Sequence, residues 1–263
     1  MRRLVIVLLV LVGLFVAVDF GSAALAESAV SRQMREQIGL VDDPSVRING
    51  FPFLTQALSG EYSSVDVEAS RISAGDLREL QVSAQLRDVT APLSMLLGSG
   101  PKTLRVQEVE GIVRVFANDL ERLVPGVEDL RIETVDAEAL RQAVADGGDA
   151  SLAELDPDAS ARLVGTRTLL GQTVEVSVIA VLELVDGEAQ IMPRDVRLGG
   201  GDPPALPAAA QRVLRELFTV RVDPGSLPLQ VTPTALRARD GALEISGTAQ
   251  DLVLGTGTAG TAG

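Results

Sequence analysis

The sequence contains no histidine, no cysteine and no tryptophan, and these absences remove most familiar chemistry at once. Without histidine or cysteine there is no Ser-His-Asp or Cys-His nucleophile, no thiol redox pair and almost no zinc ligand set. Without cysteine the fold also stands on its core alone, with no disulfide to support it. Lysine occurs once, at Lys102, so a Ser-Lys dyad or a Schiff base has a single candidate. Its neighbours Gly100 and Pro101 mark a solvated turn. Aromatic residues are scarce at 3 %, with one tyrosine, which leaves little for a sugar to stack on. Positive charge is also short. The formal net charge is −13, and removing residues 1–26 leaves −14. Such a chain has no electrostatic footprint for nucleic acid and is repelled at long range by an anionic bilayer. Any lipid it handles is held by apolar contact and local donors.

What is present starts with a targeting segment. Arg2 and Arg3 precede an unbroken apolar run from Leu4 to Val18, and Ala24-Leu25-Ala26 supplies the small-x-small pattern of a signal peptidase site. The run of fifteen residues makes a helix of about 22 Å, against roughly 30 Å of hydrocarbon. That length suits a cleaved signal. Apolar and small residues continue from Phe20 to Ala26, interrupted only by Asp19, which suits an uncleaved anchor. Both readings place residues 27–263 outside the cytoplasm, at the outer face of the plasma membrane or in the periplasmic space. The expected organisation is residues 1–26 as signal peptide or anchor, 27–254 as a folded α+β body of one large or two small domains, and 255–263 as a disordered Gly/Thr/Ala tail.

Local patterns predict the elements. Ala26, Val30, Met34 and Ile38 form one helical stripe that Gly39 ends. Val46 and Ile48 alternate as a strand, and Phe51-Pro52-Phe53-Leu54 leads into Thr55–Ser59, which stops at Gly60. Val65 and Val67 begin another strand, and Leu77–Val89 reads as extended. Asn118 and Asp136 are candidate caps of short helices. Val174–Val185 is a long apolar strand reaching an Asp186-Gly187 turn. Leu206–Phe218 carries the clearest helical spacing. A second hairpin at Asp240-Gly241 puts Arg237 opposite Glu244 and Leu236 opposite Ile245, one face ion-paired and the other apolar. Long alternating strands with few helices predict an α+β fold with a mainly antiparallel sheet.

The carboxylate pairs Asp42-Asp43, Glu108/Glu110, Glu128-Asp129 and Asp156/Asp158 are the remaining candidates for acid/base work, although chance pairs are expected in so acidic a chain. Asp146-Gly147-Gly148-Asp149 lacks the spaced ligands of a calcium loop and reads as a helix end followed by a turn. The G-x-G-x-x-G at Gly255, Gly257 and Gly260 has no helix after it to meet a phosphate, because only three residues follow.

Residues 43–67 carry the most specific pattern. Asp43-Pro44-Ser45-Val46-Arg47-Ile48-Asn49-Gly50-Phe51-Pro52-Phe53-Leu54-Thr55-Gln56, followed by Leu58, Gly60, Tyr62, Val65 and Val67, resembles the signature of the actinobacterial LmeA-type phospholipid-binding proteins. The preceding membrane segment and helix, and the stretch from Leu227-Pro228-Leu229 through Asp240-Gly241-Ala242-Leu243, fit the same family. The resemblance implies a non-enzymatic envelope protein that binds phospholipid, phosphatidylinositol species among the candidates. For mycobacterial relatives it implies a link to maturation of mannosylated envelope lipids, and no motif in the chain calls for a cofactor. It also implies a curved antiparallel sheet wrapped around one or two helices, with Leu206–Phe218 or residues 26–38 as the wrapped helix. An accessory role, docking on an envelope glycosyltransferase, is the alternative. Such a body is expected to enclose an aliphatic hollow, since each CH₂ buried there contributes about 0.8 kcal/mol. The candidate lipid contacts are Phe51, Phe53, Leu54, Leu58 and Tyr62, with Arg47 and Arg71 as candidates for a headgroup phosphate. Packing of a strand–turn–helix corner and ordinary surface arginines are the alternative explanations for these residues.

Overall fold

The computed structural model describes residues 2–92, 94, 103–124, 126–169, 171–185, 188–199, 219–222 and 232–255. The expected helix Leu206–Phe218, the Leu227–Leu229 stretch, Lys102, the Asp186-Gly187 turn and the tail beyond Gly255 lie outside these residues.

The fold is α+β, as the alternating strands predict, with two antiparallel sheets. The first sheet has the order β1-β2-β3-β4-β11-β10: Ser45–Asn49, Glu61–Ala74, Leu77–Thr90, Thr103–Phe116, Ala242–Gly255 and Thr232–Arg239. The second has the order β5-β6-β7-β8-β9: Glu128–Thr134, Ser160–Leu169, Gln172–Val185, Glu188–Leu198 and Val220–Val222. The helices are α1 (Arg2–Ile38), α2 (Phe53–Ser59), α3 (Ala117–Leu123) and α4 (Ala137–Ala145). The chain forms two compact units, one of Met1–Ser70, Val82–Gly111 and Thr248–Gly263, the other of Arg71–Gln81 and Ile112–Gly247.

In the first unit, α1 is one uninterrupted helix of 37 residues, so the apolar N-terminal run passes without a break into the stripe read at 26–38. Gly39, at φ 73°, ends it, because a left-handed residue costs glycine nothing. The β1–β2 register pairs Val46 with Val67 and Ile48 with Val65 on one face. The other face pairs Arg47 with Asp66 and Asn49 with Ser64. The period-2 pattern thus becomes an apolar face and a polar one. Ile48, Phe53, Ala57, Tyr62, Val89, Val106 and Val109 form the core of this unit, with Ala23 and Ala26 of α1 packed against it.

In the second unit, Leu80, Val115, Leu120, Val178, Ile191, Val196, Leu236, Leu243 and Ile245 are among the buried residues of a larger aliphatic core. Asp136 caps α4, its carboxylate accepting from the Ala139 N–H at 2.7 Å, as its position before an apolar run suggests. The cap expected at Asn118 is different. Helix α3 begins at Ala117 with Phe116 in the cap position, and Asn118 lies inside the first turn. The Asp240-Gly241 turn joins β10 to β11, and Leu236 and Ile245 are buried as expected. Glu244 takes its cation from Arg114 of β4, at 2.7 Å.

Candidate lipid-binding surfaces

The signature segment is fastened to α1 by a ladder of side chains. Asp19 interrupts the apolar run, yet it is only 2 % exposed. Its Oδ2 accepts the Phe53 N–H at 2.9 Å and its Oδ1 the Leu54 N–H at 2.8 Å. These are the first two amides of α2, which Pro52 in the cap position does not satisfy by a side chain. Two turns further along α1, Glu27 Oε1 accepts the Ile48 N–H of the edge strand β1 at 2.8 Å. Ser31 Oγ then donates to the Pro44 carbonyl at 2.6 Å, and Arg35 pairs with Asp43 at 3.0 Å. As α1 advances from 19 to 35, its partners recede from 54 to 43. The side chains at 27, 31 and 35 recur one per turn, which keeps them on one face.

The candidate contact residues divide around this ladder. Phe51 is 59 % exposed and packs on α1, with its ring 6.1 Å from Phe20 in a stacked arrangement and 6.5 Å from Phe15 edge-on. Leu58, on α2, is 80 % exposed. Phe53 and Tyr62 are buried with rings 6.4 Å apart, and Leu54 is partly buried against the same core, so these three pack the corner. The Tyr62 hydroxyl finds no hydrogen-bond partner among the described residues, and burial raises its pKa above the ordinary value of about 10. Arg47 is exposed on the polar face of β1. Arg71 is exposed at a left-handed kink of β2 (φ 55°) and belongs to the second unit, so no single site in either unit gathers both arginines.

An apolar cleft lies in the second unit. Leu120 of α3 and Val124, just past its end, face Val127 and Leu130 next to and on β5, and Leu163, Gly165, Val176, Val178 and Ile191 complete the lining. Its wall has no polar side chain, as the aliphatic composition predicts. The free space is about 20 Å³, enough for one water molecule. An acyl tail enters such a cleft only if α3 and the sheet move apart.

Members of three of the carboxylate pairs have structural work, beginning with Asp43 on Arg35. Glu108 and Glu110 both meet Arg87, at 3.1 and 3.4 Å. Asp156 and Asp149 each accept a backbone N–H at the start of a short 3₁₀ turn, and Asp146 ends α4. Sequence reasoning passed over Asp119. Fully buried, it accepts the Arg78 and Glu79 N–H groups at 2.9 Å each and pairs with Arg122. It also passed over Arg197, which donates to Asp195 and to the Ala143 carbonyl at the end of α4, both at 2.7 Å. For Asp19, a charged residue inside an apolar stretch was the available signal.

A family model, that of the LmeA-like phospholipid-binding proteins, matches residues 17–248. The chain belongs to that family. No curated protein and no solved structure matches it.

Proposed function

We propose that this chain is an exported, non-enzymatic phospholipid-binding protein of the cell envelope. The family match over residues 17–248 carries the reading. Apolar residues held at the surface in and beside the signature, Phe15, Phe20, Phe51 and Leu58, support it, because a chain of net charge −13 meets lipid through apolar contact. Phosphatidylinositol-type lipids are the first candidates, and the link to envelope glycolipid maturation follows from the same family resemblance. The tail is expected to lie against the aliphatic lining of Leu120, Val124 and Val178, with α3 displaced. Native mass spectrometry of the full chain, purified from membranes in mild detergent, tests the proposal. Copurifying phospholipid in a fixed ratio is the expected result. An empty protein that stays empty after incubation with phospholipid vesicles refutes it. If that empty protein instead brings down a stoichiometric glycosyltransferase, the accessory-scaffold reading replaces lipid binding.

A further inference from the structure

We infer that α1 is retained as a membrane anchor, and that the Phe51–Leu58 corner is thereby held in the outer leaflet beside it. The inference deepens the proposed function by naming the membrane surface at which lipid is met, and it rests on the outward orientation proposed there.

The first observation is what cleavage after Ala26 would remove. Asp19, Ala23 and Ala26 are built into the first unit, Asp19 as the acceptor for two amides of α2 and the alanines as part of the core lining. A disposable signal peptide has no reason to supply a helix cap to the body it leaves. The family match begins at residue 17 and so includes these positions.

The second observation concerns length. The run Leu4–Val18 is too short to span comfortably, and Asp19 ends it on paper. In the fold, the Asp19 carboxylate is turned onto the α2 amides, and the Ser22 hydroxyl is bonded to the Val18 carbonyl at 2.7 Å. The outward face therefore stays apolar through Phe20 and Leu25, which are 63 % and 74 % exposed. From Leu4 to Leu25 is about 33 Å of helix, close to the roughly 30 Å of a bilayer's hydrocarbon. Among the described residues α1 is the one helix long and apolar enough to cross.

The third observation is the corner itself. With Arg2 and Arg3 on the inner side, Phe15 falls near the middle of such a span and Phe20 in its outer half. Phe51 packs on both of them, which places it between their depths, in the outer leaflet. Leu58, at the far end of α2, leaves an apolar side chain with the same need for lipid. A chain of net charge −13 is not drawn to an anionic membrane by its field, so insertion is the means by which it stays there.

The test uses the full chain with a C-terminal tag, produced in a bacterium with an active signal peptidase. The expected result is an intact mass that includes residues 1–26, in a membrane fraction that resists alkaline carbonate. A protein beginning at Glu27 overturns the inference. Depth is read separately. The sequence has no tryptophan, so Phe51→Trp, Leu58→Trp and the control Glu36→Trp, at an exposed position about three turns beyond Leu25 on α1, each carry one fluorophore. After reconstitution into phosphatidylcholine vesicles with brominated acyl chains, the first two are expected to lose most of their emission and the control to keep it. Quenching of both corner reporters no greater than that of Glu36→Trp refutes the placement in the leaflet. Leu58→Trp decides alone if the Phe51 variant does not fold. An anchored, quenched protein that copurifies without phospholipid would overturn the proposed function and leave this inference standing.

Discussion

Asp19→Ala removes the one carboxylate that accepts two backbone N–H groups at the start of α2, at 2.8 and 2.9 Å. A hydrogen bond to a charged group contributes about 1.5–3 kcal/mol, and loss of an N-cap side chain costs about 0.5–2 kcal/mol. The two amides share one turn and one acceptor group, so their contributions overlap, and the expected cost is about 2–4 kcal/mol. That is a large part of the roughly 5–15 kcal/mol available to a domain. The loss is local, so it should appear as faster hydrogen exchange at the α2 amides, by about 30- to 1000-fold. Mass spectrometry of peptides covering Phe53–Ser59, from the full chain in detergent micelles, measures it, with peptides from β7 as the internal control. Asp19→Asn keeps one acceptor and turns a donor towards the other N–H, so it should fall between the two. Unchanged α2 protection in Asp19→Ala would refute the reasoning, and so would an equal rise in β7.

Other outcomes follow from buried groups. Tyr62 is the only tyrosine, so its phenolate absorbance is read without overlap, and the folded chain should titrate above the ordinary value of about 10. The folded state then keeps a proton that the unfolded state has released, so stability should hold up to about pH 10 and fall as pH rises beyond it. A native titration at or below the ordinary value would contradict the burial of that ring. Arg197→Met leaves the buried Asp195 carboxylate without its guanidinium, and should cost about 3–5 kcal/mol in urea unfolding. Adding Asp195→Leu should recover most of that loss, and an unshifted midpoint in the single variant would count against the pair's role.

Elements fixed by neighbours in sequence could be read from sequence. The alternation around Ile48, the stop at Gly60, the cap at Asp136 and the Asp240-Gly241 turn all depend on contacts within a few residues. Distant partners could not be read. Nothing near Asp19 says that its oxygens belong to amides 34 and 35 positions away. Hairpin register puts Arg237 opposite Glu244, but the cation that pairs with Glu244 is Arg114, 130 residues distant on β4. The same limit applies to the candidate contacts. Phe51, Phe53, Leu54, Leu58 and Tyr62 are all candidate contacts in the sequence, yet only Phe51 and Leu58 are exposed. Which side a residue takes depends on α1 lying against the corner, and local pattern does not contain that.

The ladder between α1 and residues 43–54 also sets which changes of length the chain can absorb. Its rungs alternate between a helix and an extended segment, and the turn at 39–42 connects the two strips. A residue added in that turn only lengthens the connection. One added between Asp19 and Glu27 would rotate everything beyond it by about 100° about the helix axis and swing the later rungs off their partners. Natural variation in length should therefore gather in the turn and be rare inside the helix.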